Sequence, residues 1–103
     1  MSSRSEIRFD FRQALSQADD LDELARRMRN LSGRDMEASM QTLARAWRGE
    51  NAAAFLNKED HLRQEIQETA ADIHDVAEDI RRVARILYNA EMEAWRIARE
   101  RNS

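Results

Sequence analysis

An all-α fold is predicted: an antiparallel two-helix hairpin that dimerises into a four-helix bundle. Three observations lead to it. The chain of 103 residues has no proline and only two glycines, Gly33 and Gly49. Apolar residues recur at helical three- and four-residue steps on both sides of Gly49. The apolar stripes are also too broad for one hairpin to cover, so a second copy or a different partner is expected to complete the core.

Composition agrees with a single helical domain spanning 1–103. Ala, Leu, Arg, Glu and Gln dominate, and all are good helix formers. Charged residues make up 36% of the chain, which suits the exposed faces of long helices. The net charge of −3 is too small and too mixed to argue for nucleic acid or an anionic membrane as a partner. No cysteine is present, which excludes disulfides and thiolate metal sites. No apolar run approaches the roughly 20 residues of a spanning helix, so membrane insertion is not expected. The start, Met1-Ser2-Ser3-Arg4-Ser5-Glu6, has no apolar core behind it and does not read as a signal peptide.

The first helix is predicted over about 10–47. Residues 1–9 read as a frayed polar lead with Ile7 and Phe9 as anchors. Asp10 is a plausible N-cap, with Gln13 in the capping-box position. Phe11, Ala14, Ala18, Leu21, Ala25 and Met28 then form one helical face, widened by Leu15, Leu24 and Leu31. Near Ser32-Gly33 the pattern slips and resumes as Met36, Met40, Leu43 and Trp47 in longer steps. Glycine costs a helix interior roughly 1 kcal/mol relative to alanine. A bend is expected there rather than a break.

The turn between the helices is predicted at 48–51. Gly49 can take the left-handed conformation that ends a helix. Asn51 can cap the next one. Trp47, just before the turn, is either an apolar plug closing the bend or a recognition residue.

The second helix is predicted over about 52–99. Leu62, Ile66, Thr69, Ile73, Val76, Ile80, Val83, Leu87, Ala90, Ala94 and Ile97 alternate steps of four and three, the 3.5-residue period of a coiled-coil seam. Beside it runs a row of small residues, Ala70, Ala77, Ala84 and Ala98, broken by Glu91; such a row lets a neighbouring helix approach closely. On the other flank Glu65, Glu68, Asp72, Asp75 and Asp79 form an acidic stripe. It is either a solvated face or a partner for Arg26, Arg27 and Arg29.

At 1.5 Å per residue the two helices would be roughly 55 and 70 Å long. Folding back at Gly49 then brings Phe11 opposite a position near Tyr88. Residues past Tyr88 are expected to overhang, with Tyr88, Met92 and Trp95 on the outward side as a recognition cluster.

Nothing in the sequence marks an enzyme or a cofactor protein. His61 and His74 do not share a helical face, and each has a glutamate four residues on, Glu65 and Glu78, as in a common surface pair. No Glu-x-x-His, His-Glu-x-x-His, phosphate loop or nucleophile elbow occurs. No catalytic residue, metal ligand or cofactor is expected.

These residues resemble a known family. Trp47-Arg48-Gly49, at a mid-chain bend of a helical chain of about this length, is similar to the Trp-X-Gly signature of the WXG family, the helical-hairpin proteins exported by type VII secretion systems. Ala52, Ala53 and Phe55 follow as they commonly do there, and Ile7-Arg8-Phe9-Asp10 is similar to the family's lead into its first helix. The family also carries a C-terminal export signal, a tyrosine followed four residues on by an acid. Here that position is Met92, and the acids fall at Glu91 and Glu93. The resemblance implies a small secreted substrate or co-secretion partner, made in the cytoplasm and secreted without a classical signal peptide. It implies an antiparallel dimer that brings the bend of one subunit to the tyrosine segment of the other, for the secretion ATPase to read. Trp47, Gly49, Tyr88, Glu91, Met92 and Trp95 would be the binding residues. The partner would be the chain itself, a related hairpin, or the helical region of a toxin. The alternative is a cytoplasmic coiled-coil adaptor with no export role.

Overall fold

The computed structural model describes residues 3–46 and 49–102, apart from the side chains of residues 50 and 51. The protein is all-α: every described residue except Ser3, Gly49 and Asn102 is helical, and no strand occurs among them. Helix α1 spans Arg4–Asn30, a π-helical segment spans Leu31–Asp35, α2 spans Met36–Ala46 and α3 spans Glu50–Arg101.

Helix α1 starts six residues before the expected cap at Asp10. Ser3 is the actual cap. Its Oγ accepts a bond from the Glu6 N–H at 3.2 Å, and its carbonyl accepts one from the Ile7 N–H at 3.0 Å. A short hydroxyl side chain at that point satisfies a backbone donor that the helix itself leaves unpaired. The supposed lead is therefore helix, and Ile7 within it is only 3% exposed. Phe9, the other expected anchor, points to solvent.

The chain forms two compact units, each an antiparallel helix pair. Unit 1 comprises Met1–Leu21 and Asp75–Ser103; unit 2 is Asp22–His74. In unit 1, Ile7, Ala18, Ala77 and Ala84 are buried between the helices. In unit 2, Ala25, Ser32, Ala52 and Ala70 are buried. The small-residue row therefore forms the packed face of α3 in both units. A methyl side chain lets the backbones approach and collect many weak dispersion contacts. The stripe read as the seam flanks that face. Its Ile66, Ile73 and Ile80 are half-buried, whereas Leu62, Val76, Val83 and Leu87 remain exposed.

The slip near Gly33 is a π-helical segment, so helix runs without interruption from Arg4 to Ala46. A π turn inserts extra chain into a helix, which accounts for the run of four-residue steps in the apolar pattern. Ser32, the small residue in that turn, is fully buried and donates its hydroxyl to the Arg29 carbonyl at 3.1 Å.

Gly49 has φ +113°, the only positive φ among the described residues, in a region that side chains disfavour. Its carbonyl accepts a bond from the Ala53 N–H at 3.2 Å. Gly49 thus takes the N-cap position of α3, and Asn51, expected there, is already inside the first turn. Trp47, Arg48 and the Asn51 side chain lie outside the described residues.

Candidate partner-docking surface

The C-terminal aromatic cluster belongs to unit 1, and the structure turns it inward. Tyr88 faces Phe11 with ring centroids 4.6 Å apart and planes tilted by 31°. The register that folding at Gly49 predicts for this pair is the observed one. Seven residues on, the Trp95 ring lies under the Arg4 guanidinium at 5.6 Å and beside that of Arg99 at 5.3 Å, both within cation–π range. Tyr88, Glu91, Met92 and Trp95 are all half-buried. The expected overhang past Tyr88 is shorter than predicted, because the two extra turns of α1 reach back as far as Trp95. The orientation differs because Ala77, Ala84 and Glu91 form the packed row, and Tyr88 and Trp95 each stand four residues past one of its members.

Glu91 interrupts that row with a carboxylate. It borders a small cavity together with Ile7, Asp10, Phe11 and Tyr88. Asp10, the residue expected to cap α1, instead places a second carboxylate there. Farther along the same helix Arg96 is bonded to Glu93 and Glu100. The Arg96 hydrogen bond holds the Glu93 carboxyl below the usual carboxylate range, and the Glu93 bond raises the guanidinium in turn. Glu93 is therefore engaged by its own helix. A similar pair forms on α1, where the Arg26 hydrogen bond lowers the Glu23 carboxyl.

One edge of each helix pair is closed by polar contacts. In unit 1, Arg81 donates to Asp19 across the helices and to Glu78 on its own helix, both at 2.8 Å. In unit 2, His74 Nδ1 lies 2.7 Å from Asp22 Oδ1. A carboxylate can only accept, so that nitrogen carries the proton. Arg63, which falls in the small-residue row of unit 2, bonds Asp60 at 3.1 Å and approaches Glu37 at 4.0 Å. Its Nε is buried and has no partner among the described residues. Arg26 and Arg27, candidate partners for the acidic stripe, turn to Glu23 on their own helix.

The other edge is apolar and open. In unit 1 a groove of about 360 Å³ runs between Ala14 of α1 and Val76, Ile80, Val83 and Leu87 of α3, with Asp79 on its wall. Val76, Val83, Ile86 and Leu87 are 44–56% exposed. In unit 2, Leu24, Leu31, Phe55 and Leu62 are 42–50% exposed. Large apolar side chains left open at heptad spacing have the composition of a helix–helix contact face.

Of the residues singled out in the sequence, Tyr88, Glu91, Met92 and Trp95 gather in unit 1. Gly49 sits at the turn in unit 2, and Trp47 is outside the described residues. Sequence reasoning missed the pairs Asp19–Arg81 and Asp22–His74. Their signal was the register itself: a chain folded at Gly49 places both pairs opposite one another, as it does Phe11 and Tyr88. Among the described residues no helix is long and apolar enough to cross a membrane. No family model matches the chain, and no curated protein or solved structure matches it significantly.

Proposed function

We propose that this protein is a non-enzymatic helical hairpin of the WXG type. In this reading it is a small substrate or co-secretion partner of a type VII secretion system, and it pairs with a second hairpin into a four-helix bundle. The observation that carries the pairing is the open apolar edge of both units. Val76, Val83 and Leu87 in one and Leu24, Phe55 and Leu62 in the other stay half-exposed at helical spacing, next to helices that already bury their small residues. Another hairpin with the same period supplies what those edges lack.

The secretion part rests on the Trp47-Arg48-Gly49 tripeptide at the turn and on the Tyr88 segment. The positive φ at Gly49 supports reading its glycine as required by the turn. In this proposal the secretion ATPase reads a composite of Trp47 and Gly49 at the bend with Tyr88, Glu91, Met92 and Trp95 at the far end. Glu91 is the acid that serves the signal, since Glu93 is tied to Arg96. The rival, an adaptor that stays in the cytoplasm, draws on Met92 standing where the export signal has an acid.

Secretion decides between them. The tagged chain is expressed in a strain carrying the secretion machine and in one lacking its ATPase, and the medium is assayed. Appearance in the first medium alone supports export. Retention in both, with a stable folded protein inside the cells, removes the type VII assignment.

A further inference from the structure

We infer that unit 1 carries a binding site for a small amphipathic amine, its aliphatic chain lying along the open groove and its ammonium seated in the adjoining cavity between Asp10 and Glu91. The site lies wholly within unit 1 and does not rest on the secretion reading. A second hairpin on the same edge would compete with the ligand.

The two hollows differ in chemistry and run into one another. The groove, about 360 Å³, is walled by Val76, Ile80, Val83 and Leu87 and falls within the size range of small-molecule sites. The cavity holds about 90 Å³. At roughly 30 Å³ per water that is room for about three waters, or for one ammonium and the carbon that bears it. Ala14, Ala84 and Leu87 line both hollows, so an aliphatic chain can leave one and continue into the other. Asp10 of α1 and Glu91 of α3 place a carboxylate on either side of the cavity, and Phe11 and Tyr88 give it aromatic surface.

Charge selects the head group. Elsewhere in unit 1 acids face arginines: Asp19 and Glu78 bond Arg81, and Glu93 and Glu100 bond Arg96. Asp79, the acid on the groove wall, has Arg82 at 3.5 Å. Asp10 and Glu91 have no hydrogen bond or ion pair among the described residues. No Lys or Arg lines either hollow. Two carboxylates facing one cavity repel one another, and a cation between them relieves the repulsion. An alkylamine titrates near the lysine value of about 10.4, so at pH 7 it is an ammonium. It brings three donors to acceptors that lack one, and such charge-assisted bonds are the strong kind. Aromatic rings beside it favour a cation over an anion. A neutral alcohol of the same chain gains the groove alone, and a fatty carboxylate is repelled at the cavity.

The test is an NMR titration of the full chain at pH 7 with octylamine, butylamine, octanol and octanoate. Octylamine is expected to saturate below about 1 mM, well within what nine heavy atoms can supply. Its shifts should centre on Phe11, Tyr88, Val83 and Leu87. Octanol should bind about tenfold more weakly for want of the charged head, and octanoate more weakly still. Butylamine should also lose about tenfold, since four methylenes leave a half-open groove. Glu91→Gln and Asp10→Asn should each weaken octylamine about threefold to tenfold and leave octanol unchanged. Circular dichroism should show wild-type helix content in both, because neither carboxylate bonds anything that the change removes. Octylamine that fails to saturate, or octanoate that binds as tightly as octylamine, overturns the site. So do variants without effect, and so do equal shifts at Leu24 and Leu62 of unit 2, which would mean general adsorption to apolar surface.

Discussion

The contact between Phe11 and Tyr88 lends itself to a double-mutant cycle. The rings lie 4.6 Å apart at a 31° tilt, and both residues are half-buried. Truncating a fully buried phenylalanine costs about 3–5 kcal/mol. Half-burial brings Phe11→Ala to about 2 kcal/mol, and Tyr88→Ala to a similar figure. An aromatic pair adds about 0.5–1.5 kcal/mol beyond burial. That part is lost in either single variant and is not lost again in the second. The double variant should therefore fall about 1 kcal/mol short of the sum of the singles. In a domain of this size about 2 kcal/mol lowers Tm by roughly 10 °C. Thermal and denaturant unfolding at one fixed protein concentration would measure it, because any self-association would couple stability to concentration. A coupling below about 0.3 kcal/mol would refute the reasoning, since it would mean the rings do not stabilise one another. The cycle also bears on function. If Tyr88 packs as described, Tyr88→Ala weakens unit 1 as well as any export signal, whereas Glu91→Ala should depress export with the fold intact.

Three further outcomes follow from other positions. Gly49→Ala forces a side chain into φ +113° and should destabilise the chain by about 1 kcal/mol or more, read as a shift of the denaturation midpoint; an unchanged midpoint would mean the turn does not need its left-handed residue. Glu93, with its carboxyl lowered by Arg96 from an ordinary value of 4.5, contributes stability that is present above that value and fades as pH falls through the lowered one. Helix content near the C-terminus, followed by amide exchange or NMR shifts between pH 6 and pH 2.5, should drop in the wild type and lose part of that dependence in Glu93→Gln; identical profiles would remove the pair as a contributor. Trp47→Ala is expected to leave Tm nearly unchanged while abolishing secretion; a Tm loss of 10 °C or more would mark Trp47 as a plug of the bend.

Much of the fold was legible because helix is written in local residues. Leu62 to Ile97 keep their period without a proline or glycine, and that stretch is one helix as expected. The turn at Gly49 was legible for the same reason. The start of α1 was not, because Ser3 and Asp10 are both competent caps and propensity does not rank them. Ile7 decides it: once buried in unit 1, it holds two further turns in helix. The π segment left a trace in the spacing of Met28, Ser32, Met36 and Met40. A bend and an inserted π turn leave nearly the same trace, and only backbone geometry tells them apart.

The site was harder to read, because α3 carries two faces that one sequence pattern does not separate. Its four-and-three stripe and its alanine row are adjacent, and either can serve as the seam. The large apolar side chains offer more burial. The alanines offer a closer approach, and in both units the intrachain contact goes to them. That choice has two consequences. It leaves Val76, Val83, Leu62 and Phe55 exposed. It also swings Tyr88 and Trp95 toward α1, where Phe11 and Arg4 cover them. An export factor reading Tyr88 would thus meet a residue packed by its own first helix, and the face open to a partner is the other one. In the proposed reading, docking of a second hairpin and reading of the tyrosine segment would use different faces of α3. Variants at Val83 should change assembly without touching Tyr88, and variants at Glu91 should change export without touching the open groove.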